Sequence, residues 1–351
     1  MQWQTGISAG VPATAQGVGQ VIVRDFGRLL AGQGATPPGP RALPRYTDLV
    51  LAGVSQSAWF VNTLIAEGFN ADPRSGQEVF DGAVAVDGNG GYLAINQLAG
   101  DGAQTPYIRP DGVPLTLAQL LTRPKSDPLL VDVANYTDYY RTRASVSISE
   151  PVPAGAVRYD WPSPHAGPSF PDAVVFGLLR CNDGVPVPRN PIDYQPYLRT
   201  VVAGLATSVR AGSRLALPPS ALFELQDTQP PGTGLVNLLP GVPLQLPAID
   251  ADTAQPLGGV RFAEAALPLG RPLPVALSPV DTRSISDLCG NWGGWQPFTA
   301  TELTQRYGSV EAYVSRYAAQ VDELVAAGYL RTQERAGLLA AARQRYLAAP
   351  A

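Results

Sequence analysis

Apolar positions along this chain change their period several times, and each change marks an element. Val18, Val21, Ile22, Leu29 and Leu30 recur at helical spacing and predict a helix over residues 15–32, stopped by Gly32 and the loop Gly34-Ala35-Thr36-Pro37-Pro38-Gly39-Pro40. Thr47-Asp48-Leu49-Val50-Leu51-Ala52 is a short apolar run of the kind that makes a strand buried on both faces. It leads directly into Gly53-Val54-Ser55-Gln56-Ser57. Helical spacing then returns with Val61, Leu64 and Ile65 on one face until Gly68, with Asn70 just beyond. Residues 80–86, 128–134 and 156–159 are three further buried-strand patterns, the first followed by the flexible turn Asp87-Gly88-Asn89-Gly90-Gly91. Strands separated by helices or long connections predict an α/β fold with a mostly parallel sheet, in which ligands gather at the carboxyl ends of the strands.

Residues 193–211 form an amphipathic pattern through Leu198, Val201, Val202, Leu205 and Val209, with Asp193 as N-cap and Gly212 as stop. Residues 213–298 are rich in proline and glycine without strong periodicity, compatible with short strands or with a wrap over the sheet. Ser309 caps a helix carrying Val310, Tyr313, Val314, Tyr317, Val321, Leu324 and Val325, closed by Gly328, and Thr332 starts a last helix to Leu347. The expected organisation is therefore a core over residues 1–212, then a wrap or cap and a helical hairpin over residues 213–351.

Composition narrows the function classes. With 45% hydrophobic residues in 351, the chain can bury a large core, which excludes a disordered tail. A net charge of −4 without a basic stripe gives no reason to expect nucleic acid or an anionic membrane as partner. No apolar run approaches the roughly 20 residues of a membrane span, and Met1-Gln2-Trp3-Gln4-Thr5 lacks the features of a signal peptide. The default address is thus the cytoplasm, or export if a segment precedes this one. Cys181 and Cys289 could form one disulfide or remain two thiols; buried thiols are favoured because free cysteine packs as a small apolar side chain. No set of cysteines and histidines exists to build a zinc site.

His165 is the single histidine, and it follows a serine turn at Ser55 and an aspartate at Asp138. Hydroxyl, acid, imidazole is the chain order in which strand ends of a parallel sheet deliver a nucleophile, an orienting carboxylate and a base. A sharp strand-to-helix turn would lift the Ser55 hydroxyl and aim the Gln56 N–H at a developing oxyanion. Gly53 suits such a turn, while Ser57 stands where a second glycine is usual. The motif alone is weak: Gly6-Ile7-Ser8-Ala9-Gly10 matches it more closely, yet no apolar strand precedes it, so it is assigned to a loop. The bland alternative for Ser55 is a turn whose hydroxyl caps the helix, and for His165 an ordinary structural histidine. Asp132, inside the strand pattern, competes with Asp138 as the acid; Asp138, in the loop after the strand, is favoured because it can reach over the sheet edge. Asp87 and Asp160 are assigned structural roles. Trp59, Tyr139, Tyr140, Trp161, Trp292 and Trp295 could line a pocket but suit a core equally well.

The chain resembles a bacterial family of large α/β-hydrolase domain proteins of the esterase and lipase type. The resemblance runs through Gly53-Val54-Ser55-Gln56-Ser57, Gly68-Phe69-Asn70, Phe80-Asp81-Gly82, Asp138-Tyr139-Tyr140 and Val157-Arg158-Tyr159. It continues through Asn190-Pro191, Arg199, Gly212, Arg306-Tyr307-Gly308-Ser309 and Gly328-Tyr329-Leu330. It implies Ser55 as nucleophile, His165 as base and Asp138 as acid, a small-molecule ester as substrate, and no metal or organic cofactor. Two departures stand out: Ala58-Trp59 replaces the family's glycine and arginine, and Asp138 replaces its glutamate. Only 54 residues precede Ser55, so the first strands of such a fold, and the loop that supplies a second oxyanion donor, are expected to be missing. The alternatives to an esterase are a catalytically inactive scaffold used for interaction, or a peptidase or other acyl transferase on the same triad.

Overall fold

In the computed structural model the described residues are 18–33, 44–93, 114–226, 245–277 and 288–351. The serine motif at Gly6 to Gly10 and the loop Gly34 to Pro40 lie outside them. The elements are α1 (Val18–Ala31), β1 (Val50–Val54), α2 (Gln56–Ala66), β2 (Gly82–Val86), α3 (Leu117–Leu120), β3 (Leu129–Asn135), α4 (Tyr136–Arg141), β4 (Ala156–Trp161) and α5 (Gln195–Ala211). There follow β5 (Leu225–Gln226), β6 (Leu246–Pro247), α6 (Ala263–Ala266), β7 (Gly270–Leu273), β8 (Gly294–Pro297), α7 (Ala300–Tyr307), α8 (Val310–Ala326) and α9 (Arg335–Leu347). Strands β1 to β4 form the expected parallel sheet in the order β1-β2-β3-β4, flanked by helices. Tight packing divides the chain into one unit of residues 1–132, 146–157 and 205–214, and another of residues 133–145, 158–204 and 215–351.

In the first unit, β1 pairs with β2 from Val50 opposite Gly82 to Val54 opposite Val86. Every residue of β2 is buried, as a strand covered on both faces requires. Helix α2 supplies Ala58, Val61 and Ile65 to a core shared with Ala83, Ala85, Leu117, Leu120 and Leu130. It is buried on nearly every side, beyond the single face its periodicity suggested, since Trp59, Asn62 and Thr63 are buried too. At its end Gly68, at φ 75°, donates to the Ile65 carbonyl while Phe69 donates to Leu64, the paired bonds that close a helix with a left-handed residue. Buried Asn70 then stitches loops together, donating to the Phe80 and Ser126 carbonyls and accepting the Phe80 N–H. Helix α1 differs from expectation: Val18 and Ile22 are exposed, and the packed side carries Val23, Leu30 and Ala31 against Leu49, Val79 and Phe80. Gly27 explains the choice, because a Cβ there would come within 2.8 Å of both Phe80 and Val79; the helix docks where it can approach most closely.

In the second unit, the stretch without periodicity resolves into antiparallel pairs, β5 with β6 and β7 with β8. Phe262 stacks on Tyr197 with ring centroids 3.4 Å apart, and Trp161 packs on Phe262 and Tyr194. Helices α8 and α9 pack together as the expected hairpin, with the Ser309 hydroxyl accepting the Ala312 N–H. The expected buried thiols are corrected: Cys181 and Cys289 form a disulfide with Cα atoms 5.4 Å apart, although 108 residues separate them in sequence. Asp138 is also corrected from a loop to the first turn of α4.

Candidate active site

The serine turn belongs to the first unit. Ser55 sits between β1 and α2 at φ 57° and ψ −126°, a left-handed backbone that a side chain adopts only under strain. Its N–H donates to the Val86 carbonyl at 2.8 Å, which ties the turn to the end of β2. Its carbonyl accepts the N–H groups of Ala58 and Trp59 and so starts α2. The Ser55 hydroxyl makes no capping bond to that helix, so the bland role considered for it is not the one it has. Gly53 is obligatory: a Cβ there would lie 2.3 Å from the Ser57 carbonyl oxygen, because the strand and the helix almost touch. Ser57 is exposed, which explains why a side chain is accepted where glycine is usual. Gln56 opens α2, so its N–H has no acceptor within the helix and is available to an anion. The turn Asp87-Gly88-Asn89-Gly90-Gly91 lies against α2, with the Asn62 amide donating to the Gly91 carbonyl at 3.0 Å. A Cβ on Gly91 would meet the Trp59 indole at 2.3 Å.

The histidine belongs to the second unit, in the loop after β4. Asp138 Oδ1 lies 2.8 Å from His165 Nδ1, and the two side chains are 0% and 4% exposed. The other carboxylate oxygen, Oδ2, accepts the Asn135 N–H at 2.9 Å, so the acid is held from both sides. The loop is laced to the start of α4: the Tyr136 N–H donates to the Ser163 carbonyl, the Ser163 hydroxyl to Asn135 Oδ1, and the His165 N–H to Thr137 Oγ1 at 2.8 Å. One residue further, Ala166 donates its N–H to the Asn291 carbonyl at 2.8 Å. A carboxylate on Nδ1 fixes the tautomer that leaves Nε2 as the basic nitrogen and stabilises the imidazolium formed when that nitrogen takes a proton.

Of the remaining candidates, Asp132 is buried within β3. Asp160 is structural as expected: it accepts from Arg158 at 2.9 Å, from the Tyr139 hydroxyl at 2.6 Å and from the Phe223 N–H at 2.9 Å. Burial, with Asp160 beside it, pushes the Tyr139 phenol well above its usual range, so it remains a hydrogen-bond donor. The six aromatic residues considered for a pocket are all buried, and Trp295 lines a cavity of about 190 Å³ together with Glu264, Leu267, Leu269, Tyr313 and Arg345. Thr137, Ser163 and Asn291 were missed. Thr137 and Asn291 each hold the histidine loop through one hydrogen bond, and Ser163, within that loop, ties it to the start of α4 through two; no local spacing announces them.

A family model described as alpha/beta hydrolase domain matches residues 5–340. The chain belongs to this family. No curated protein and no solved structure matches it. Membership in the alpha/beta hydrolase domain family places the chain in the hydrolase superfamily. It agrees with the four-stranded parallel sheet, the strand-turn-helix around Ser55 and the strand end that precedes His165. Among the described residues, no helix is long and apolar enough to cross a membrane.

Proposed function

We propose that this alpha/beta hydrolase is a serine hydrolase that cleaves carboxylic esters through an acyl-enzyme. The observation that carries the reading is the buried Asp138–His165 pair at 2.8 Å. In this mechanism His165 Nε2 removes the Ser55 proton as the hydroxyl attacks the ester carbonyl, while Asp138 holds the imidazole and balances its charge. The Gln56 N–H stabilises the oxyanion of the tetrahedral intermediate. The imidazolium then protonates the leaving alcohol, and water, activated by the same histidine, releases the acid and regenerates Ser55. The partner is a small neutral ester, and the chemistry calls on no metal or organic cofactor. Strained backbone at Ser55 supports the reading, since such strain persists where structure over-determines it and collects at reacting residues.

Labelling with a fluorophosphonate, followed by peptide mass spectrometry, tests it. The expected result is a single adduct on Ser55 that disappears in His165→Ala, with turnover of short acyl esters falling by on the order of 10⁶. No other imidazole can substitute. Folded protein that takes no adduct would reject the esterase in favour of an inactive scaffold. Turnover retained in His165→Ala would reject the mechanism.

A further inference from the structure

The Cys181–Cys289 disulfide lies beside the histidine loop. Cys289-Gly290-Asn291 forms a single tight helical turn, and two routes lead from it to His165. On the first, Ala166 packs against the cluster of Val175, Phe176, Cys181, Leu277, Cys289 and Trp292, and it donates its N–H to the Asn291 carbonyl. On the second, the turn packs against α4, and Gly293 lies so near Thr137 that a Cβ there would stand 3.2 Å from the threonine methyl; Thr137 Oγ1 in turn accepts the His165 N–H. The backbone on both sides of the imidazole is therefore referred to one turn, and that turn is bonded covalently to Cys181.

We propose that the Cys181–Cys289 bridge is a positioning element for His165: it fixes the turn that fixes the histidine, so full turnover requires the oxidised chain. The role as positioner of a general base rests on the reading of His165 given above; the structural claim, that the bridge orders the imidazole, does not. Catalytic groups must be held within about half an ångström of their productive place, and displacements near 1 Å cost up to about a hundredfold in rate. Without the bridge, hydrogen bonds and apolar contacts alone would have to supply that precision.

The single histidine makes the test direct, because every imidazole resonance belongs to His165. Full-length oxidised protein is compared by NMR with the Cys181→Ala/Cys289→Ala double variant and with wild type treated with dithiothreitol. That reagent reduces the bridge to two thiols as it closes to its own cyclic disulfide. Circular dichroism and turnover are recorded on the same samples. The expected result is retained secondary structure, a broadened or lost Nδ1–H resonance, and a fall in kcat of roughly ten- to a hundredfold with KM changed by less than about twofold. An imidazole spectrum and kcat that do not respond in folded, bridge-free protein would overturn the proposal. Wholesale unfolding would overturn it too, since the bridge would then staple the whole fold and not one loop. If the oxidised protein turns over no ester while the imidazole still responds to the bridge, the esterase reading fails and the ordering role stands.

Discussion

The Ser55 turn and the His165 loop are assembled by opposite means. Ser55 is placed mostly by its immediate neighbours, through the close approach of Gly53 to Ser57 and the start of α2 at its own carbonyl, with a single bond reaching out to Val86 on β2. His165 is placed by residues drawn from distant stretches, Asp138 and Thr137 on one side and Asn291 on the other, the last secured through a disulfide. A locally built site stores strain in a few dihedral angles and fails through geometry. A site built from remote pieces carries little strain, and fails when any one of its remote supports is lost.

Substitutions can separate these two modes of failure. The largest effect is expected at the remote site, from Asp138→Asn. An amide can serve only one of the two partners the carboxylate now accepts from, so either the Asn135 N–H is abandoned or the imidazole is forced into the wrong tautomer. Ester turnover should fall by about 10⁴ while the melting temperature moves little; a loss below tenfold would show that Asp138 does not orient the base. Next comes Gly53→Ala at the local site. The added methyl has backbone atoms at 2.3 Å and no flexible neighbour to displace, so stability should fall by at least about 2 kcal/mol in denaturant titrations, along with reactivity at Ser55. A fully stable, fully reactive variant would mean that the turn is not as tight as its geometry.

Acid offers a gentler comparison, because each unit carries one carboxylate with a strongly lowered pKa. Burial alone would raise Asp72, but the Ser75 and Arg74 N–H groups and the Arg28 guanidinium outweigh it and hold the group at about 2. Hydrogen bonding to Arg199, and secondarily to Arg331, overcomes burial and brings Glu334 to about 2 as well. Both pKa values are depressed, so their contributions are fully present above the ordinary values of 3.8 and 4.5 and fade as pH falls toward 2. Melting temperature should therefore drop across that window, and Glu334→Gln should flatten the dependence; an unchanged curve in that variant would remove Glu334 from the account. The smallest effect is expected from Ser57→Gly, which restores the usual glycine at an exposed position: stability should change by no more than about 0.5 kcal/mol, and labelling of Ser55 should be unaffected.

The same contrast explains what could be read from the chain. The four strands, the helix stops at Gly68, Gly212 and Gly328, and the serine turn all follow from residues close in sequence, and the structure has them within three residues of their expected places. Helix α4 leaves no trace in the apolar pattern, because Tyr136-Thr137-Asp138-Tyr139-Tyr140-Arg141 is too short and too aromatic to show helical periodicity. Helix α7 does carry a local signal, outside the apolar periodicity: Thr299 and Glu302 form a reciprocal capping box at its start. The disulfide, the Thr137 and Asn291 contacts, and the pairing of β7 with β8 depend on distant stretches meeting, and no single window of sequence contains them.

Arg158 and Asp160 stand two residues apart on β4, so their side chains share one face of the strand, and both are 0% exposed. Removing either partner alone would strand an uncompensated charge at a cost of about 3–5 kcal/mol, whereas exchanging both removes the two charges together and leaves the Tyr139 hydroxyl and the Phe223 N–H to find new acceptors. In evolutionary terms the intermediate is a valley: a lineage that loses one of these residues must lose the other almost at once. The two positions should therefore behave across related sequences as a single inherited character, present together or replaced together.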